Sequence, residues 1–129
     1  MKPTIPMLLI MLTLTAACDP IGARNTGADP SAKIELDLAA LDEHGLRGPA
    51  DGKVSMAYEF AIPDTAECRA QVQAIDPTVQ FYSGSRGRIG AGEDECLCIG
   101  ETYQPDYAQV LYRLAELPFI DRIAPCYFE

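Results

Sequence analysis

Basic residues, histidine and long apolar runs are scarce in this chain, and each shortage argues against a class of function. Ten lysines and arginines stand against 19 acidic residues, and the net charge of −9 repels nucleic acid and anionic lipid headgroups. The sole histidine is His44, and no pattern in the sequence assigns it to a Ser–His–Asp or Cys–His catalytic set. Its place before Gly45 is typical of a helix end or a turn. We therefore expect no nucleic-acid binding and no enzyme activity.

Long apolar stretches are confined to the start of the chain. Lys2 is followed by an apolar run from residue 5 to 14 without further charge, and then by the small residues Thr15, Ala16 and Ala17. This order is typical of a secretory signal, and the run is too short for a membrane span. No later run is long enough to cross a bilayer, so we expect the body of the protein to be soluble.

The end of this signal carries a cysteine. The sequence Leu14-Thr15-Ala16-Ala17-Cys18 resembles the lipobox of bacterial lipoprotein precursors, with threonine where leucine is usual at position 15. The resemblance covers residues 1–18 and implies cleavage before Cys18 and its acylation, including by palmitate. Two or three acyl chains suffice for stable anchoring in a lipid bilayer. An ordinary cleaved signal that happens to contain a cysteine is the alternative.

Such an anchor implies a place in the bacterial cell envelope. Asp19 resembles the signal for inner-membrane retention in enteric bacteria, and the choice between inner and outer membrane stays open because that rule is not general. Cleavage removes 17 of 129 residues, one base and no acid, and leaves 112 residues with a formal charge of −10. We expect residues 18–32 to form a flexible linker and residues 33–129 a single domain. A solvated acidic surface is favoured over a cation site.

The first half of the folded part predicts a strand and a helix. Residues 33–46 fit a strand and a helical stripe equally well, and a turn follows around Gly48 to Gly52. Alternation from Val54 to Ile62 predicts a strand with one buried face. A capping-box pattern over residues 64–67 begins a helix, which Asp76-Pro77 ends.

The second half predicts two strands, a helix and a strand. Short strands are expected around Phe81 and Leu97, a helix from Pro105 to Leu117, and a last strand within residues 120–128. The order is that of the α+β ferredoxin-like fold (split βαβ, βαββαβ), with two helices on one face of a four-stranded antiparallel sheet. Right-handed crossovers place the first and third strands at its centre.

Four cysteines remain if Cys18 is acylated. An even number in an exported chain favours disulfides, and three pairings of Cys68, Cys96, Cys98 and Cys126 are possible. Cys96 and Cys98 lie two apart in a predicted strand and face the same way, near the start of the first helix. We expect one structural disulfide from Cys68 to Cys96 or Cys98. A soft-metal or redox pair at Cys96 and Cys98 is the alternative.

A glycine-rich loop, residues 83–95, lies between the second and third predicted strands in chain order. It contains Arg86, Gly87 and Arg88, and long loops often carry function. Its glycines could bring backbone N–H groups and the two arginines to an anionic ligand or a partner; the alternative is that the arginines face the acids of the same loop. Its spacing matches neither a P-loop nor a dinucleotide-binding motif. We expect a small non-catalytic domain, without cofactor or metal, that binds a protein or another envelope component.

Overall fold

The computed structural model describes residues 29–127, and these form a mixed α+β domain with two helices and two antiparallel sheets, as the α+β prediction requires. Cys18 and the signal segment lie outside the described residues. The elements in chain order are two short 3-10 helices at Pro30–Lys33 and Leu38–Ala40, β1 (Leu46–Arg47), β2 (Val54–Ser55), β3 (Ala57–Pro63), α1 (Ala66–Ile75), β4 (Gln80–Ser83), β5 (Glu95–Glu101), α2 (Tyr107–Glu116) and β6 (Ala124–Cys126).

The larger sheet has the strand order β4-β5-β3-β6, with every neighbouring pair antiparallel. Its long strands β3 and β5 are central, and they pair from Ala57 opposite Glu101 to Pro63 opposite Glu95. These two are the first and third strands of this sheet along the chain, which is the expected arrangement. The central pair can be long because both strands alternate large apolar residues with smaller or polar ones.

Both helices begin and end within about two residues of the positions that the sequence predicts. Thr65 caps α1, and its side chain accepts a hydrogen bond from the Cys68 N–H at 3.2 Å, so the cap lies one residue later than the Asp64 start of the predicted capping box. Asp76 ends α1 ahead of Pro77. The second helix, α2, follows Pro105 and ends at Glu116, just before the predicted stop at Leu117-Pro118.

Both helices pack on one face of the larger sheet, called here the helix-covered face, which carries Tyr58, Phe60 and Ile62 of β3. Directly opposed residues of antiparallel strands share a face, so Cys96 and Cys98 of β5 belong to it as well. One apolar cluster joins these strand residues to Val72 of α1 and to Leu111 and Leu114 of α2. This cluster is the hydrophobic core of the domain.

The segment that the sequence left undecided is neither a strand nor an α-helix. Residues 29–32, which the sequence analysis assigns to the linker, contribute to the first 3-10 helix, and Lys33 Nζ donates to the Leu117 carbonyl at 3.3 Å. Ile34 forms a parallel bridge with Ile123. The conformation of this segment is therefore determined by contacts with residues that are distant in the chain, and not by a local apolar pattern.

A small hairpin of β1 and β2, which the sequence analysis did not predict, flanks the turn at residues 48–52. Asp42 stabilises it, since its carboxylate accepts hydrogen bonds from the Leu46 N–H at 3.0 Å and from Lys53 Nζ at 2.7 Å. The Lys53 ammonium, together with the backbone N–H groups of Leu46 and His44, lowers the pKa of Asp42 to about 2. Neither α-helix of the described range has the length and apolarity that crossing a bilayer requires.

Candidate functional site

The second face of the larger sheet, called here the loop-covered face, carries Glu59 and Ala61 of β3 and Leu97 of β5. The glycine-rich loop lies over it. Gly87 has a positive φ of 61°, and a Cβ atom built there would stand 2.7 Å from Leu97 Cδ1 and 3.3 Å from Glu59 Oε2. Glycine therefore permits both the backbone conformation and the close approach of the loop to the sheet.

Glu59 is the polar centre of the loop-covered face. It lies on a central strand and is only 2% exposed, and its Oε1 accepts a hydrogen bond from the Ile89 N–H of the loop at 2.6 Å. Burying a carboxylate is costly unless hydrogen bonds compensate for its lost hydration. The bond to Ile89 supplies part of that compensation and fixes the loop on the sheet.

Cys126 of the edge strand β6 joins the same cluster. It pairs with Ala57, which puts its side chain on the loop-covered face, beside Glu59. Burial raises the pKa of the Cys126 thiol, and the neighbouring Glu59 carboxylate raises it further, while the charge of Arg88 acts in the opposite direction. A raised pKa disfavours the thiolate, which is the nucleophilic form of cysteine.

Three loop residues are predicted to contact a ligand or partner: Arg86, Gly87 and Arg88. They lie in the part of the loop above Glu59, and both arginines are exposed. The Arg86 carbonyl accepts from the N–H groups of Gly90 at 3.1 Å and Ala91 at 2.8 Å, so the chain forms a closed turn over residues 86–91 that contains Arg88. The loop thus presents two cations from a backbone that is closed by its own hydrogen bonds and attached to the sheet.

The other cysteines lie on the opposite side of the sheet. Cys96 and Cys98 are fully buried on the helix-covered face, and Cys68, in the first turn of α1, packs against the same core. All four cysteines from Cys68 to Cys126 are thiols here. Burial raises the pKa of Cys98 strongly, and the neighbouring Cys96 adds to the effect. The disulfide from Cys68 stays a prediction.

Metal-ligating groups do not gather within residues 29–127: no cluster of three or more His, Cys, Asp or Glu side chains there could hold an ion. His44, the sole histidine, is exposed and lies 3.5 Å from Glu43, at a turn where its N–H donates to the Asp42 carboxylate. Its surroundings offer no buried orienting partner of the kind that a catalytic base uses.

A second buried carboxylate, Asp76, was not foreseen from the sequence. It accepts hydrogen bonds from the Tyr58 hydroxyl, from Thr78 Oγ1 at 2.6 Å and from Gln104 Nε2 at 3.2 Å. Burial raises the pKa of Tyr58, and the charge of Asp76 raises it further. The network ties the end of α1 to the chain entering α2, so its role is to hold the core together.

Sequence reasoning found the loop and its arginines but missed Glu59. In an alternating strand the polar positions are assigned to solvent, and Glu59 follows that alternation between Tyr58 and Phe60. Only the placement of a distant loop over its face reveals that it is buried. Comparisons with family models, with curated proteins and with solved structures found no match to this chain.

Proposed function

We propose that this protein is a lipid-anchored component of the bacterial cell envelope, whose small acidic domain binds a protein or another envelope component without catalysing a reaction. The anchor rests on the lipobox-like sequence that ends at Cys18. The binding role rests on one observation above all, which is the way the glycine-rich loop is seated. A charged loop that is already ordered loses little conformational entropy when it meets a partner.

The chemistry of the loop supports contact with a partner through Arg86, Gly87 and Arg88. Guanidinium groups form bidentate hydrogen bonds to carboxylates, and two of them here stand on a body of net negative charge. An acidic group on the partner is the feature that complements these cations. Charge complementarity of this kind directs orientation and association rate.

We propose further that the fold is ferredoxin-like. The order β3-α1-β4-β5-α2-β6, the strand order β4-β5-β3-β6 and the packing of both helices against one core support it. Many unrelated functions use that topology, so the fold adds nothing to the choice of partner.

The alternative of a metal or redox site at Cys96 and Cys98 is weakened by their surroundings. Thiolates are the species that bind metal and exchange disulfides. Both thiols are fully buried, and the raised pKa of Cys98 makes that residue a poor source of thiolate.

The anchor is tested by labelling growing cells with palmitate. The wild-type protein should incorporate the label and fractionate with membranes, and Cys18→Ala should do neither. Cys126→Ala is the matched control, because it removes a cysteine but leaves the lipobox-like sequence intact. Equal labelling of wild type and Cys18→Ala contradicts the anchor.

The binding role is tested by placing a photo-reactive residue at position 86 in living cells. We expect a discrete cross-linked product at this position. Position 109, an exposed site on α2, is the control and should give little product. No product at position 86, with a discrete product at position 109, contradicts the role of the loop.

A further inference from the structure

We propose that Glu59 is a latch: a carboxylate beyond the reach of any partner that holds the arginine-bearing loop in its single binding conformation. The inference deepens the proposed function, because it concerns the loop assigned there to partner contact. Glu59 is only 2% exposed and lies on the loop-covered face of a central strand, whereas its neighbours Tyr58 and Phe60 lie on the helix-covered face.

The loop is joined to the sheet through this side chain. Glu59 Oε1 accepts from the Ile89 N–H at 2.6 Å, and Oε2 lies beside the position where Gly87 approaches Leu97. The carboxylate thus lies beneath the loop segment that contains Arg88, bonded to Ile89 on one side of it and close to Gly87 on the other. Cys126 of β6 lies beside the same carboxylate. Glu59 therefore joins the loop to a central strand, next to the edge strand.

A carboxylate is a costly choice for such a position if stability alone matters. Leucine has similar size, and burying apolar groups in place of buried charges is often neutral or stabilising. Leucine, however, accepts no hydrogen bond from Ile89. The carboxylate therefore contributes a defined loop conformation rather than net stability, and the two contributions can be separated by substitution.

The experiment measures amide hydrogen exchange at Ile89 by NMR in the wild type, Glu59→Leu and Glu59→Gln. Loss of a charged acceptor should speed exchange at Ile89 about tenfold or more in Glu59→Leu, and less in Glu59→Gln, whose amide oxygen still accepts. Amides of the β3–β5 ladder should keep their protection. Glu101→Gln, which removes an exposed carboxylate from the same face, should leave Ile89 unchanged.

Wild-type exchange at Ile89 in a folded Glu59→Leu protein overturns the latch. If Glu59→Leu does not fold, Glu59→Met decides, because its flexible side chain of similar length also lacks a strong acceptor. Faster exchange at Ile89 alone then supports the latch, and unchanged exchange overturns it. The readout needs no partner, so it is independent of the cross-linking test. If the exchange results support the latch but position 109 rather than position 86 gives the cross-linked product, the binding role of the loop is wrong and this inference stands. If position 86 gives the product but exchange at Ile89 is unchanged in the variants, only this inference is wrong.

Discussion

The two faces of the larger sheet are covered in different ways. Two helices cover one face with apolar side chains, and the core there joins Phe60, Val72 and Leu111 in one cluster. A loop covers the other, with Gly87 against Leu97 and a hydrogen bond from Ile89 to a buried carboxylate. Apolar packing tolerates many arrangements of similar volume, whereas a hydrogen bond to one acceptor specifies one. We therefore expect the first face to contribute most of the stability, and the second a defined loop conformation.

The largest expected effect comes from the core. Phe60→Ala removes a fully buried ring between the sheet and the helices and should lower the free energy of unfolding by about 3–5 kcal/mol. Leu97→Ala on the loop-covered face should cost less, because a loop can settle into the vacated space more readily than packed helices can. Urea denaturation measures both. A larger loss for Leu97→Ala than for Phe60→Ala would reverse the comparison.

The cysteines also distinguish the two faces, since the sheet separates Cys126 from the other three. We expect peptide mapping of exported protein without reductant to give one disulfide, from Cys68 to Cys96 or Cys98, and Cys126 as a thiol. Reduction should then lower the free energy of unfolding by about 2–4 kcal/mol. Cys126→Ser is the control and should retain the bridge. A bridge that includes Cys126 would show that the two faces are not separated as described.

Two loop glycines separate backbone strain from close approach. Gly87 and Gly90 both have a positive φ, but a Cβ atom at Gly90 would meet nothing within 4 Å. Gly90→Ala should therefore cost only the left-handed backbone penalty of about 1–2 kcal/mol. Gly87→Ala should cost about 1–3 kcal/mol more, because its methyl group would overlap Leu97. Thermal unfolding of the two variants measures the difference, and equal losses would mean that the loop does not rest on the sheet.

The smallest effect is electrostatic and lies outside both faces, at the β1–β2 hairpin. The pKa of Asp42 is lowered to about 2, so its contribution to stability is present above pH 4, near the unfolded pKa, and is lost as the pH falls towards 2. Lys53→Met should raise the pKa of Asp42, as followed by NMR of the carboxyl carbon. Asp51→Asn, an exposed change in the same hairpin, should not alter it. An unmoved Asp42 titration in Lys53→Met would contradict the pairing.

The sequence was informative wherever local patterns suffice. Alternation around Tyr58 predicts β3, and the stops at Pro77 and Pro118 give the ends of both helices. Two-residue strands such as β1 and β2 carry no period to detect. The segment around Ile34 takes its conformation from Ile123, about ninety residues away in the chain, which no local pattern encodes.

The candidate site was foreseen in part for the same reason. Glycines and arginines mark residues 83–95 as an unusual loop, and that is a local signal. Whether the loop lies on the sheet depends on Leu97 and Glu59, which are distant partners with ordinary strand patterns. A buried polar residue on an alternating strand has the same sequence signature as an exposed one, so Glu59 becomes visible only in three dimensions.

Amide hydrogen exchange at Ile89 in the unmodified protein measures whether a buried carboxylate fixes the glycine-rich loop to the sheet. We predict exchange at least about tenfold slower than in an unstructured peptide of the same sequence, as expected for an N–H bonded to a charged acceptor. Exchange at the rate of the unstructured peptide would show that the carboxylate does not hold the loop on the sheet.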